Sequence, residues 1–342
     1  MITANPPQIS SPTAATADTE LPQLHWTWQG HNIRYTVVGE GQPLILIHGF
    51  GASIGHWRKN IPALAAEGYQ VYALDLLGFG ASAKPTIDYT LEVWQDLLRD
   101  FWQEKIQRPT VFVGNSIGAL ISLMMVANHP ECSAGGILLN CAGGLNHQSD
   151  DMNPIFRAIM GLFSEIVGSE FFGPLLFNQI RRKSQIRRTL YQVYGNREAV
   201  TPELVDMLHE PSGHPGAQKV FASILRAPAG PTPMSLLTRT SRPLLVLWGE
   251  QDPWAPVAIG RKMFQVAPGS GSDTVSGEEI GGEGMSDDRP NSARPPLEFV
   301  AIPKTGHCPH DERPEAVNPV MVRWLKAHHP TPHPTPGIAA AS

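Results

Sequence analysis

The sequence predicts an α/β architecture: a mostly parallel eight-stranded sheet flanked by helices, with a helical insertion between two of the later strands. Three observations predict it. Eight short apolar or alternating stretches recur along the chain, amphipathic helical patterns fall between them, and the alternation stops between about 144 and 241. Runs that are apolar throughout suit strands covered on both faces, and alternating strand and helix supplies the parallel crossovers that cover them.

Taken in order, residues 1–22 are rich in Pro, Thr, Ala and Ser. Such a composition buries too little to offset ordering and is expected to form a disordered tail. It has no apolar run and carries Asp18 and Glu20 with no Arg or Lys, which argues against a presequence. The core is expected over 23–143 and 242–328. LHWTW (24–28) and IRYTVVG (33–39) open it as an antiparallel hairpin turning at Gln29-Gly30. PLILIHG (43–49), YQVYALD (69–75), PTVFVG (109–114), GGILLN (135–140), PLLVLWG (243–249) and LEFVAIP (297–303) supply the other strands. Between them, Leu91, Trp94, Leu97, Leu98, Phe101 and Trp102 recur at helical spacing.

The insertion over 144–241 reads as a helical cap. Ile155, Phe156, Ile159, Met160, Phe163, Ile166 and Val167 mark an amphipathic helix. Phe171, Phe172, Leu175, Leu176 and Phe177 form a second apolar block, expected to pack on its neighbours. An insertion between two strands must sit over one end of the sheet, where it can serve as a lid. The Gly-, Ser- and acid-rich stretch 269–296 is expected to be a disordered rim loop, and 329–342 a disordered tail.

Hydrophobic content of 42% with 17% charged residues is that of a globular protein. A net charge of -5, with no long basic face, argues against nucleic acid as a partner. The one basic cluster (Arg181, Arg182, Lys183, Arg187, Arg188) is read as a solvated helix face, with contact to lipid head groups or an acidic substrate edge as the alternative. Cys132, Cys141 and Cys308 are too few and too far apart for a disulfide framework or zinc site. They suit a reducing compartment, so the expected location is cytoplasmic. No apolar run approaches the roughly 20 residues of a membrane span.

The chemistry centres on Gly114-Asn115-Ser116-Ile117-Gly118. The G-x-S-x-G pattern should arise by chance about 0.1 to 0.2 times in such a chain. Its setting, directly between a strand and an apolar helix, is what raises it. A sharp turn there strains the serine and needs flanking positions without side chains, which Gly114 and Gly118 satisfy. The hydroxyl then stands above the carboxyl ends of the strands, where open α/β sheets bind ligands.

A serine hydroxyl needs a base and an orienting carboxylate. Asp252, beyond PLLVLWG, and His307, beyond LEFVAIP, lie at the same sheet edge, in the order Ser, Asp, His. His310 and His48 are the rival bases and Glu250 the rival acid; His310 is expected in a supporting or surface position. His48-Gly49-Phe50-Gly51 follows a strand directly, and the backbone N–H groups of Phe50 and Ile117 are the candidate oxyanion hole.

With these pieces in place, the chain resembles the α/β-hydrolase fold across about 24 to 328, and its helical insertion resembles that fold's cap. Haloalkane dehalogenases and epoxide hydrolases share the fold but carry an aspartate nucleophile, against which Ser116 speaks. Asn before the serine occurs in meta-cleavage-product C–C hydrolases and in the pheophytinase and chlorophyll dephytylase group. WGEQDPWAPVAIGRK and TGHCPHDERPEAVNP resemble the latter, with Asp252 and His307 at the matching positions. Ala119, where many relatives carry glycine, and the 269–296 insertion are departures.

The resemblance implies a serine-dependent carboxylic ester hydrolase that removes phytol from pheophytin or chlorophyll through an acyl-enzyme, with no metal or other cofactor. It implies a lipophilic ester substrate and peripheral contact with a photosynthetic membrane. A C–C bond hydrolase and a non-catalytic binding protein of the same fold are the alternatives.

Overall fold

A computed structural model of the chain describes residues 21–145, 167, 169–265 and 296–329. The expected tails, the 269–296 loop and the helix from Ile155 to Val167 lie wholly or largely outside the described residues.

All eight expected stretches are strands: β1 Leu24–Trp28, β2 His31–Val38, β3 Gln42–Ile47, β4 Tyr69–Leu74, β5 Thr110–Asn115, β6 Ser133–Leu139, β7 Leu244–Gly249 and β8 Leu297–Ile302. They form one sheet in the order β1-β2-β4-β3-β5-β6-β7-β8. β2 pairs antiparallel with β1 and β4, and every other neighbouring pair is parallel. At the β1–β2 turn Gln29 and Gly30 have φ of 48° and 79°. Two left-handed residues in succession give the turn whose twist matches a hairpin.

Side-chain alternation divides the core between the two faces of the sheet. Ile45 and Ile47 of β3, Phe112 of β5, and Leu244, Val246 and Trp248 of β7 pack on one side, with α2 (Leu91–Lys105) and α3 (Ile117–Asn128). Leu44, Leu46, Val111, Val113, Leu245 and Leu247 pack on the other, with α1 (Ile61–Ala66) and the long helix Pro314–His328. The expected apolar stripe of α2 is buried at Leu91, Trp94, Leu97, Leu98 and Phe101. This two-faced burial is why these strands read as continuous apolar runs.

Between β6 and β7 the described residues form five α-helices: α4 Gly173–Ile180, α5 Lys183–Val193, α6 Pro202–His209, α7 Ala217–Arg226 and α8 Pro233–Leu237. Thr201 and Thr232 begin α6 and α8, each accepting a backbone N–H with proline at the first helical position. The second apolar block, expected to pack on its neighbours, does so in part: Phe171 and Phe172 meet edge-on at 5.0 Å between ring centroids, and the block divides between solvent and interior. Phe171, Phe172 and Leu175 are 83%, 57% and 66% exposed, whereas Phe177 is buried against Phe221 at 5.6 Å between ring centroids. Positions 175 and 177 lie about 200° apart around a helix, so only one of them can face inward.

Candidate active site

The turn after β5 holds Ser116 at φ 57° and ψ -119°. A non-glycine residue there carries about 1–3 kcal/mol of strain and persists only where its surroundings over-determine it. The glycines make the turn possible. A Cβ on Gly114 would lie 2.1 Å from the Gly118 carbonyl oxygen, and one on Gly118 would lie 2.3 Å from that of Ile47. Helix α3 begins directly after the serine, and Ala119 and Leu120 donate to the Ser116 carbonyl. The first amides of a helix have no partner within it, which leaves the Ile117 N–H available at this edge. Ala119 is a buried residue of the helix, so the departure from glycine there falls past the turn.

Asp252 lies just beyond β7 and His307 just beyond β8, and the two meet: His307 Nδ1 is 2.7 Å from Asp252 Oδ2. The same oxygen accepts from Asn140 Nδ2 at 2.8 Å, while Oδ1 accepts the Trp254 and Ala255 amides at 2.8 and 3.2 Å. Burial opposes ionisation of Asp252, but the His307 interaction, the Asn140 bond and the Trp254 amide outweigh it and hold the carboxyl below its ordinary range. Glu250, the rival acid, is exposed and lies apart from this network.

Ser116 is joined to this pair through its neighbour. Asn115, buried, donates from Nδ2 to the His307 carbonyl at 2.9 Å, tying the serine turn to the base loop. Among the described residues no hydrogen bond joins the Ser116 hydroxyl to the His307 ring. The Trp254 indole stands edge-on to that ring at 4.8 Å. The insertion also holds the base loop: the His307 amide donates to the Val193 carbonyl at 2.8 Å. The buried Glu312 carboxylate accepts the amides of Gly306 at 2.9 Å and Asn196 at 2.6 Å.

Neither rival histidine is available as a base. His48 is fully buried with both ring nitrogens engaged: Nε2 accepts the Leu76 amide at 3.0 Å, which leaves Nδ1 to donate to the Gly49 carbonyl at 2.8 Å. Burial lowers its pKa, so the ring is neutral. That bond turns the Gly49 carbonyl toward His48, and in a trans peptide the Phe50 N–H points the opposite way. A Cβ on Gly49 would lie 3.4 Å from the Ser116 Cβ, so this turn packs on the serine.

His310, expected in a supporting or surface position, is fully buried beneath Trp57, with ring centroids 4.1 Å apart. Burial and the neighbouring His56, Arg58, His307 and Lys59 push its pKa well down. Trp57 covers one side of the ring, and His56 stands edge-on to it at 4.7 Å between centroids.

Sequence reasoning missed Asn140 and the clamping roles of Asn115 and Glu312. Asn140 was visible only as a polar residue closing GGILLN. Its positive φ of 42° and its bonds to Asp252 and the Gly249 amide, donating from one end of the amide and accepting at the other, show what it does.

Residues 44–320 match the profile of the alpha/beta hydrolase family. The chain is 25% identical over 322 residues to the chloroplastic pheophytinase of Arabidopsis thaliana, covering 83% of this chain and 61% of that protein. It is 41% identical over 132 residues to the 2-hydroxy-6-oxo-6-(2'-aminophenyl)hexa-2,4-dienoic acid hydrolase of Metapseudomonas resinovorans, covering 37% of this chain and 45% of that one. The chain thus spans about half to three fifths of the length of these two curated relatives. Among solved structures, the epoxide hydrolase CorEH superposes with a TM-score of 0.69 at 19% identity, covering 90% of this chain and 99% of that one. At that identity the likeness is one of fold.

Proposed function

From the premise that the chain belongs to the alpha/beta hydrolase family, we propose that it is a serine-dependent carboxylic ester hydrolase acting on a lipophilic ester, with the phytol ester of pheophytin or chlorophyll as the substrate class. The observation that carries the reading is the buried Asp252–His307 hydrogen bond beside the strained Ser116 turn. In this reading the insertion is a cap over the site.

In this reading the buried pair supplies the base. Asp252 accepts from Nδ1 of His307, which leaves Nε2 as the basic nitrogen. Three further donors on Asp252 keep its charge in place as the imidazolium forms. Nε2 takes the Ser116 proton as the oxygen attacks the ester carbonyl, and the Phe50 and Ile117 amides receive the oxyanion. His307 returns the proton to the departing alcohol. Water then gives its proton to the same nitrogen, attacks the acyl-enzyme and releases the acid, and the proton returns to Ser116. The serine–histidine contact forms as substrate binds; such contacts tighten in the Michaelis complex.

The test incubates the protein and its Ser116→Ala variant with pheophytin, chlorophyll and p-nitrophenyl esters, separates the pigments by chromatography, and labels Ser116 with a fluorophosphonate. Phytol release and labelling are expected from the parent chain and neither from the variant. Failure of the parent chain to label would instead fit a binding protein of this fold. The 41% identity to a C–C bond hydrolase over 132 residues favours one second reading, cleavage of a vinylogous diketone. Turnover of a ring-fission product, with esters left intact, would establish it.

A further inference from the structure

We propose that the outer face of α4 and α5 docks on the surface of an anionic lipid bilayer. Phe171, Phe172 and Leu175 stand in solvent at the start of α4, among the largest exposed apolar side chains of the described residues. Three such neighbours are a patch rather than scattered surface residues.

Charge identifies the occupant. From 169 to 194 the chain carries Arg181, Arg182, Lys183, Arg187 and Arg188 against the single acid Glu170, in a protein whose net charge is -5. Lys183 pairs with Asp206 at 2.7 Å and Arg181 donates to Asn178. Arg182, Arg187 and Arg188 are exposed and have no acidic partner among the described residues. Lys183, Ser184, Arg187, Arg188 and Tyr191 line one shallow groove along α5. Solvent-facing phenylalanine and leucine at the start of α4, followed by exposed arginines on α5, the next helix along the chain, supply the two parts by which a surface helical segment enters the headgroup boundary while its cations meet lipid phosphates.

Both helices direct their other faces inward, which places these side chains on the outside of the insertion. Phe177 packs on Phe221, whose ring is in turn 5.7 Å from Phe50 at the site, and Leu190 and Val193 pack with Leu204, Val205 and Cys308. The helix that meets the bilayer is therefore the one whose inner face is packed to Phe50 through a continuous row of three rings.

Sedimentation of the full chain with phosphatidylcholine vesicles, with and without phosphatidylglycerol, tests this. Binding is expected to vesicles containing phosphatidylglycerol and to weaken in high salt. At about fivefold per cation near an anionic surface, Arg187→Gln with Arg188→Gln should weaken it about 25-fold. Phe171→Ser, Phe172→Ser and Leu175→Ser together should remove the part that survives salt. Fluorophosphonate labelling of Ser116 without vesicles should be the same in all three proteins, so the result stands apart from the hydrolase reading. No binding to either vesicle, or equal binding by all three proteins, would overturn the proposal. So would a dimer in light scattering that the triple serine variant dissociates, which would assign the face to a second copy.

Discussion

Gly118→Ala tests the geometry on which the site depends. The added methyl would lie 2.3 Å from the Ile47 carbonyl oxygen and 2.6 Å from that of His48, so α3 and the end of β3 must separate by about 1 Å to reach ordinary contact. Neither oxygen belongs to a side chain that can swing aside. Ile47 is paired with Leu74 of β4 and Gly114 of β5, and His48 is held by the Leu76 amide. Overpacking against such backbone is expected to cost about 3 kcal/mol, the upper part of the usual range. The same separation would move the Phe50 amide away from that of Ile117, the pair proposed to receive the oxyanion, and an error of 1 Å in a preorganised site costs about 10²-fold in rate. Gly143→Ala is the control, because its Cβ would meet only the Met263 sulfur at an ordinary 3.6 Å. Urea unfolding followed by tryptophan fluorescence and p-nitrophenyl ester turnover read the two effects. A Gly118→Ala protein as stable and as active as Gly143→Ala would refute the reasoning.

Further outcomes follow from the same contacts. Asp252→Asn should lower ester turnover by about 10⁴-fold with the fold intact, because the His307 tautomer is no longer set; a fall below tenfold in steady-state kinetics would contradict the proposed role. Glu312→Gln can satisfy either the Gly306 amide or the Asn196 amide but not both, since its NH₂ end would face an N–H. It should cost about 1–3 kcal/mol in urea unfolding, and unchanged stability would show that the clasp is idle. Burial holds His56 at about 4, against 6.5 for the free side chain, despite the opposing attraction of Asp311. Below pH 6.5 the unfolded chain binds a proton that the fold refuses until about pH 4, so stability should fall by about 3 kcal/mol across that interval from this residue alone, with His310 acting in the same direction. A urea midpoint that is flat or rises as the solution is acidified through this window would argue that these rings are not buried neutral.

Properties set by neighbours along the chain were legible in the sequence. Apolar runs such as PLILI and PLLVLW determine strands buried on both faces, and Gln29-Gly30 determines the first turn, because period and backbone preference act over a few residues. The Ser116 turn is legible for the same reason, since its two glycines flank the serine and the apolar helix follows at once, although what makes Gly118 necessary, the Ile47 and His48 carbonyls, lies about 70 residues away. Tertiary structure decided the rest: that β4 lies between β2 and β3, that Asp252 rather than Glu250 receives His307, that His310 is sealed under Trp57, and that Phe171 faces water while Phe177 does not. It also decided that Asn140 holds Asp252 across 112 positions and that Asn115 holds the His307 loop across 192. No local pattern encodes such partners, because a hydrogen bond reaches about 3 Å in space whatever the separation in sequence. Only the path of the loops over the sheet brings those atoms within that distance.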